Sequence, residues 1–486
     1  MSPSVALTLA IVVPLIGTVA IVCLRRAPNW RETATLTTAT TLLLLIVYIA
    51  SAFQSGNQIA TVWWYLLPDV PIAFAVEPLG LLFALVASFL WVVTSIYSIG
   101  YMRGHGEPNQ TRFYAFFAIA LSCAIGIAFA ANMVTLFIFY EALTLATFPL
   151  VTHRGSAEAK RAGRVYLGIL LSTSIGLQLL AIVWTWQLTG SLTFTERGIM
   201  HDVDDTTAGI LLLLFVFGVG KAALMPLHRW LPAAMVAPTP VSALLHAVAV
   251  VKAGVFTVLK IAIYLFGTER LATIATADWL AYAAAATILI ASLVALRQDN
   301  LKARLAYSTI SQLSYIVLGA MLANRWGIIG GGMHIATHAF GKITLFFCAG
   351  AIMVSAHKTE VSEMRGLGRA MPITMAAFLL GSISIIGLPP TGGLWSKWYL
   401  AVGTLHADQW ILLGVLLVSS VLNVAYLLPI PIRAFFSSAS PSAPEGMHEA
   451  PLPMLMALSV SALGCIVLFF YPQTFFELMT KLVVSF

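Results

Sequence analysis

Apolar runs long enough to cross a bilayer recur along the whole chain of 486 residues. The hydrocarbon core of a membrane is about 30 Å thick, and a helix of roughly 20 apolar residues spans it. Fourteen such runs lie at 4–23, 33–53, 78–102, 112–131, 133–152, 163–187, 207–225, 241–266, 276–297, 302–322, 326–354, 371–402, 409–432 and 452–471. The sequence therefore predicts an all-α, polytopic membrane protein.

Composition excludes the main alternatives. Only 9% of the residues are charged and 60% are hydrophobic, whereas a soluble domain has about 25% charged residues. A transmembrane β-barrel would have short segments of alternating hydrophobicity rather than runs of this length. The four cysteines lack metal-ligand spacing, and dinucleotide or phosphate-loop motifs are missing. We expect no cofactor, so any redox chemistry would belong to another subunit.

The distribution of basic residues predicts the topology. Loops after odd-numbered runs hold seventeen lysines and arginines, while loops after even-numbered runs and the C-terminal segment hold four. Because basic loops stay in the cytoplasm, both termini are predicted on the outer side of a bacterial cytoplasmic membrane, with the first run retained as a transmembrane helix. The net charge of +7 reflects these loops and embedded lysines, and it does not indicate a nucleic-acid partner.

A single membrane domain over 1–486 is predicted, with internal repetition. Its parts are helices 1–3 (1–111), a first repeat of helices 4–8 (112–266), a second repeat of helices 9–13 (276–432), and helix 14 with a tail (452–486). The fourth helix of each repeat is expected to break, at Pro226 and Pro238 in one and at Pro389 and Pro390 in the other. Paired broken helices at matching positions are typical of ion pathways in transporters.

Charged residues inside the apolar runs are the candidate functional groups. The only acid deep in a run is Glu141, and the lysines assigned to the membrane are Lys221, Lys252, Lys260, Lys342 and Lys397. A charge at the bilayer centre costs at least a few kcal/mol on insertion scales. A buried lysine near a carboxylate can be poised to take up and release a proton, and Glu141 is the predicted partner of Lys221.

Other interpretations of these charges stay open. Glu141 and Lys221 would also suit a static ion pair. Lys260 is expected to extend toward the membrane interface from a helix end. Lys342 would also suit a lipid headgroup or a partner protein.

Histidines extend the same pattern. His334, His338 and Lys342 recur at i, i+4 and i+8, which places them on one helical face, and His246 precedes Lys252 by six residues. Imidazole titrates near neutral pH and can bridge lysines too distant for direct transfer. Hydrogen-bonded packing is the competing role for His334. A zinc site lacks a third ligand, so no metal is predicted.

Five motifs carry a family resemblance: FYEALTLATFPLV, GKAALMPLHRWLPAAMVAPTPVSALLHAVAVVKAG, NLKARLAYSTISQLSY, HAFGKITLFFCAGAI and GLPPTGGLWSKW. They resemble the antiporter-like membrane subunits shared by Mrp-type multisubunit Na+/H+ antiporters and respiratory complex I. The length resembles the Mrp D type, since A-type and L-type subunits carry long C-terminal extensions. The resemblance implies fourteen helices with two inverted five-helix repeats, each containing a broken helix.

The resemblance also implies residue roles. Glu141 would be the fifth-helix glutamate, Lys221 its seventh-helix partner, Lys252 the central lysine and Lys397 the lysine leading to the outer exit. The bridging histidines would be His246 and His338.

The function expected from the resemblance is that of a proton-translocating subunit in a monovalent cation (Na+)/H+ antiporter. This makes the chain part of a secondary transporter rather than an enzyme, with other membrane subunits and lipid as partners. The alternatives are a proton-pumping subunit of an NADH:quinone oxidoreductase or membrane-bound hydrogenase, and a scaffold subunit that moves no protons.

Overall fold

Helices dominate the computed structural model of the protein, which describes residues 1–244, 249–438 and 446–484. The first half contains α1 (Pro3–Cys23), α2 (Pro28–Gln54), α3 (Pro78–Gly104), α4 (Gln110–Phe129), α5 (Met133–Val151), α6 (Ala157–Thr189), α7 (Asp205–Gly218) and α8 (Val250–Lys260). The second half contains α9 (Ala275–Arg297), α10 (Leu301–Met321), α11 (Arg325–Ala356), α12 (Pro372–Ile386), α13 (Gly393–His406), α14 (Trp410–Phe436), α15 (Leu452–Phe470) and α16 (Gln473–Val484).

The predicted fold class is confirmed. Within the described residues, ten helices are long and apolar enough to cross a membrane. The other four predicted runs correspond to α7, α8, α10 and the α12–α13 pair, which are shorter, interrupted or more polar. The chain is therefore an all-α, polytopic membrane protein of about fourteen segments.

Two five-segment blocks follow α3. In the first, α4 packs on α5 and α5 on α6; in the second, α9 packs on α10 and α10 on α11. Because each block has an odd number of crossings, corresponding helices in the two blocks run in opposite directions. The blocks are the two inverted repeats, and each contains one broken helix.

The first break begins where α7 ends at Gly218. A short turn of 3-10 helix (Gly220–Ala222) follows, and Ala223 adopts a left-handed conformation with φ of 56°. Pro226 lies in the irregular stretch after this turn, and Pro238 caps the short helix Thr239–Ala243. The Trp230 Nε1 donates to the Gly220 carbonyl at 3.0 Å, which satisfies an acceptor that the break would leave unpaired. The break predicted from these prolines is confirmed.

The second break separates α12 from α13. Gly387 ends α12 with φ of 89°, and Pro389 and Pro390 form an exposed turn before α13 begins. A Cβ on Gly393 would lie 1.8 Å from the Ser384 carbonyl oxygen, so only glycine permits this approach of the two half-helices. The prolines therefore mark the break, as predicted.

Helix α11 is at the centre of the fold. It contacts α3, α8, α10, α12, α13 and α15. A helix surrounded in this way is screened from lipid, so polar side chains along it face protein groups. This position explains why the histidines and the lysine of α11 are buried.

Among the described residues, a strand hairpin and a helix near the C-terminal end were not predicted. An antiparallel hairpin joins β1 (Ala60–Leu67) to β2 (Val70–Ala75), and α16 is an amphipathic helix where only a tail was expected. Strand β1 contains the Trp63-Trp64-Tyr65 cluster, all three of which are exposed. The β-branched and aromatic residues from Thr61 to Tyr65 suit a strand, whereas a search for long apolar runs detects only long helices.

Candidate proton pathway

The five lysines assigned to the membrane are removed from solvent. Lys221, Lys252, Lys260 and Lys342 are fully buried, and Lys397 is half-buried. A buried charge needs hydrogen-bond or ionic partners. The identity of those partners defines the site.

Lys221 lies in the 3-10 turn that follows α7. Its Nζ donates to the Tyr140 carbonyl at 2.9 Å and to the Thr144 Oγ1 at 2.6 Å. The same Nζ lies 3.1 Å from the centroid of the Tyr140 ring, and the Tyr140 hydroxyl accepts from the Lys221 backbone N–H. The first break thus directs the lysine onto α5. Tyr140 and Thr144 were missed by the sequence analysis.

Glu141 is adjacent to this contact but does not make it. The ion pairs among the described residues do not include Glu141 with Lys221. Both carboxylate oxygens of Glu141 are buried and lack a protein hydrogen-bond partner. Glu141 nevertheless directly follows Tyr140, whose carbonyl accepts a hydrogen bond from the Lys221 Nζ. A buried carboxylate without a protein donor requires water or a proton.

Gln178 adds a second polar group beside the first break. It is fully buried in a π-helical turn (Ser174–Leu179) within α6, and neither its Oε1 nor its Nε2 has a protein hydrogen-bond partner. A Cβ on Gly218, the last residue of α7, would lie 2.5 Å from the Gln178 backbone N. Single π-turns occur frequently at functional sites. A lone glutamine within an apolar run was the available sequence signal.

Lys252 on α8 contacts the central helix. Its Nζ lies 2.5 Å from the His338 Nδ1, so an ammonium on the lysine can donate to the unprotonated ring nitrogen. Both groups are buried. His246, the other predicted bridging histidine, lies outside the described residues.

Stacked rings continue from His338 toward the second break. The rings of His338 and His334 are 5.7 Å apart between centroids, and those of His334 and Tyr315 are 5.5 Å apart. The Lys397 Nζ lies 4.9 Å from the centroid of the Tyr315 ring. The structure thus brings Lys252, both histidines and Lys397 into one series. Tyr315 on α10 was not predicted, because its position depends on how α10 packs against α11.

Lys397 is held at the second break. Its Nζ donates to the Ile386 carbonyl at 3.0 Å, an acceptor freed by the end of α12, and to the Ser420 Oγ at 3.4 Å. Ser396, the preceding residue, bonds the His334 Nδ1 at 2.9 Å. Both breaks therefore position a lysine, and the second also fixes the orientation of His334.

Lys342 lies beside the series. Its Nζ donates to the Ser308 Oγ at 2.5 Å and to the Leu305 carbonyl at 3.3 Å. The Tyr426 hydroxyl donates to the same Ser308 Oγ at 2.8 Å. Because Lys342 is fully buried, a lipid headgroup does not reach it, and its hydrogen-bond partners lie on α10.

The expectation for Lys260 was wrong. Its side chain does not extend to the interface but is fully buried. The Nζ lies 2.9 Å from the Glu77 Oε2 and donates to the Ala130 carbonyl at 2.7 Å. Glu77 immediately precedes α3, which packs against α8. Tertiary packing thus supplies a carboxylate that sequence proximity did not indicate.

Comparison with protein families identifies the fold. Residues 130–423 match the family described as NADH:quinone oxidoreductase/Mrp antiporter, TM, and residues 64–114 match NADH-Ubiquinone oxidoreductase (complex I), chain 5 N-terminus. The first match covers more than half of the chain and includes both breaks and every lysine described above. The chain belongs to the NADH:quinone oxidoreductase/Mrp antiporter family. The resemblance stated from the motifs is confirmed.

Relatives of this chain belong to both oxidoreductases and antiporters. NADH-quinone oxidoreductase subunit N of Desulforudis audaxviator is 34% identical over 82% of this chain and 82% of its own length. The A-type subunit of the Na(+)/H(+) antiporter of Alkalihalophilus pseudofirmus is 29% identical over 89% of this chain and 56% of its own length. The NAD(P)H-quinone oxidoreductase chain 5 of Picosynechococcus sp. is 33% identical over 67% of this chain, and the match spans 50% of that relative. This family member thus spans about half the length of the chain 5 and A-type relatives.

Solved structures share the fold of this family member over almost its full length. A chain of the Mrp complex from Dietzia sp. superimposes with a TM-score of 0.88 at 21% identity, covering 100% of this chain and 98% of that chain. A chain of the membrane-bound sulfane sulfur reductase, an archaeal respiratory membrane complex, gives 0.87 at 24% identity, with coverage of 99% and 97%. At these identities the likeness establishes the fold.

Proposed function

We propose that this chain is a D-type, proton-translocating subunit of a multisubunit monovalent cation (Na+)/H+ antiporter in a bacterial cytoplasmic membrane. The observation that carries the proposal is the contact series from Lys252 through His338, His334 and Tyr315 to Lys397. Titratable side chains inside a membrane domain are costly and mark ion or proton pathways. The length of the series, which runs from Lys252 in the first repeat to Lys397 in the second, favours transport over a single static ion pair.

Protons would enter at the first break, from the face that carries the basic loops. Water beside Glu141 and Gln178 would deliver a proton to Lys221. Lys252 would then receive it and pass it to the Nδ1 of His338. Transfer along the stacked histidines would bring it to Lys397, where the second break leads to the opposite face.

Electrostatics would couple the successive steps. Two unit charges ~5 Å apart interact with about 3 kcal/mol at an effective dielectric constant of about 20. Protonating His338 therefore disfavours a charge on His334, the next titratable group of the series, whose ring centroid lies 5.7 Å away. Adjacent subunits would use the same coupling to link proton movement to the cation, here proposed to be Na+.

A second candidate function is proton pumping within an NADH:quinone oxidoreductase. The similarity to subunit N of Desulforudis audaxviator over most of both chains favours it. The two functions predict different partners: hydrophilic iron–sulfur subunits for the oxidoreductase, and only membrane subunits for the antiporter. Mass spectrometry of the purified native assembly distinguishes them.

The test of proton translocation uses everted membrane vesicles. We expect Lys221→Ala and Glu141→Ala each to abolish cation-dependent changes of internal pH while the complex still assembles. Lys160→Ala, at an exposed position in the first turn of α6, is the matched control and should leave transport intact. Retained transport in both site variants would refute the relay and favour the scaffold role.

A further inference from the structure

The buried ion pair between Lys260 and Glu77 lies apart from the lysine and histidine series. The Lys260 Nζ is 2.9 Å from the Glu77 Oε2 and also donates to the Ala130 carbonyl. The Lys260 side chain is fully buried, whereas that of Glu77 is 16% exposed. The pair therefore has one member enclosed by protein and one that reaches open space.

That open space is a cavity of about 510 Å³, which we call the hairpin cavity. Its lining includes Gln58, Glu77, Phe194, Glu196, Tyr264 and Lys481. These residues come from the connections after α2 and α6, from the end of the segment containing α8, and from α16. The distribution of basic residues predicts that the cavity opens on the outer face of the membrane, because the basic loops lie on the opposite face. Glu77 thus links the buried lysine to the outer aqueous phase.

Aromatic rings surround the ammonium of Lys260. Its Nζ lies 4.7 Å from the Phe194 ring centroid, 5.7 Å from that of Phe256 and 5.8 Å from that of Tyr264. The faces of such rings stabilise a cation in a dry site. Even so, a buried ion pair is often no more stable than apolar residues of equal volume, because desolvation offsets the attraction between the charges. Stability alone therefore does not account for this pair.

Position along α8 connects the pair to the relay. Lys252 and Lys260 are eight residues apart on the same helix, which is ~12 Å along its axis at about 1.5 Å per residue. Lys252 contacts His338, and Lys260 contacts Glu77. A π-helical turn (Ile261–Phe266) begins directly after Lys260, and such turns occur frequently at functional sites. One helix therefore carries a central lysine and an outer lysine.

We infer that the Glu77–Lys260 pair is a second proton-release site, which connects Lys252 to the hairpin cavity in parallel with Lys397. This inference rests on the proposed function, in which Lys252 carries protons. The Lys260 ammonium transfers a proton to the Glu77 carboxylate, so an N–H bond breaks, an O–H bond forms and both groups become neutral. Glu77 then releases the proton to water in the cavity. The neutral amine accepts the next proton from the Lys252 side, which restores the ion pair.

The transfer within the pair creates no unpaired buried charge. Removing one partner of a buried ion pair costs about 3–5 kcal/mol, because the other charge is left uncompensated. Proton exchange between the two members avoids that cost at this step. After release the pair carries one negative charge, on Glu77, whose side chain is 16% exposed at the cavity, until Lys260 takes up the next proton.

A neutral replacement of the pair provides the first test. The double variant Glu77→Gln/Lys260→Met removes both charges together, so a purely structural pair predicts normal assembly and unchanged transport. We expect instead a further loss of at least tenfold in proton flux when this double variant is added to Lys397→Ala, which alone keeps residual flux through the cavity. Asp202→Asn, exposed on the same predicted face, is the matched control. Unchanged flux after the double replacement, with assembly verified by co-purification, would overturn the inference.

Carbodiimide labelling of the wild-type complex provides a second readout, independent of transport. Carbodiimides react with protonated carboxyl groups, so a membrane-impermeant reagent applied from the outer side should modify Glu77, and mass spectrometry should locate the adduct. Labelling that rises on acidification supports a titrating Glu77 even if the antiport assay fails. No adduct on Glu77 at any pH, with Glu196 at the same cavity labelled, would contradict the release site.

Discussion

Replacing His338 with glutamine separates proton transfer from packing at the centre of the series. The His338 Nδ1 lies 2.5 Å from the Lys252 Nζ, and its ring lies 5.7 Å from that of His334. A glutamine retains a hydrogen-bond acceptor for Lys252 and a comparable side-chain volume. Unlike imidazole, its amide does not bind a proton near neutral pH. The variant should therefore fold and assemble while losing the transfer step.

The size of the effect follows from geometry. Proton transfer between positioned groups operates over heavy-atom distances of about 2.6–3.2 Å, or through one water, and contributes roughly 10²–10⁴-fold to a rate. Without the His338 ring, the next group that could accept a proton from Lys252 is His334. The ring centroid of His334 lies 5.7 Å from that of His338. With the parallel route removed by Glu77→Gln/Lys260→Met, we therefore expect the addition of His338→Gln to lower proton flux by at least about 100-fold.

The assay is cation-dependent acidification or alkalinisation in vesicles, normalised to the amount of assembled complex. His406→Gln, an exposed histidine at the end of α13, is the matched control and should transport normally. In the Glu77→Gln/Lys260→Met background, flux that stays above half of the background value after His338→Gln is added would refute the contact series as a proton route.

Two further predictions concern the elements that position the site. A Cβ on Gly254 of α8 would lie 2.4 Å from the Lys221 backbone carbon, so Gly254→Ala should displace the first break, destabilise the complex by about 1–3 kcal/mol and reduce transport. Gly414→Ala, which meets no atom within 4 Å, is its control, and equal melting temperatures for the two variants would contradict the close approach. At the start of α7, hydrogen bonds from Thr207 hold the pKa of Asp204 below its usual value. Its capping contribution is therefore present above the unfolded pKa of about 3.9 and lost as pH falls through the folded pKa. The protection factor of the Thr207 amide, which compares its exchange rate with the intrinsic rate at the same pH, should fall on acidification in the wild type and show no such step in Asp204→Asn.

The sequence by itself determined the fold class, the number of segments, the two breaks and the set of embedded charges. These properties are local. Each apolar run is long enough by itself to span the hydrocarbon core, and each proline or glycine interrupts the helix in which it lies. The α-helical period also placed His334, His338 and Lys342 on one face of α11. The hairpin and α16 were not predicted, because they are short and lie at the surface. A search for long apolar runs does not detect such elements.

Only the tertiary structure decided which partner each charge has. Lys221 contacts Tyr140 and Thr144 rather than Glu141, Lys260 meets Glu77, and Tyr315 lies between His334 and Lys397. Partner choice depends on how helices distant in sequence rotate against one another and on which backbone carbonyls the breaks leave free. Hydropathy and residue spacing within one helix do not reveal the rotation of the helices or the free carbonyls, because both arise from packing between helices.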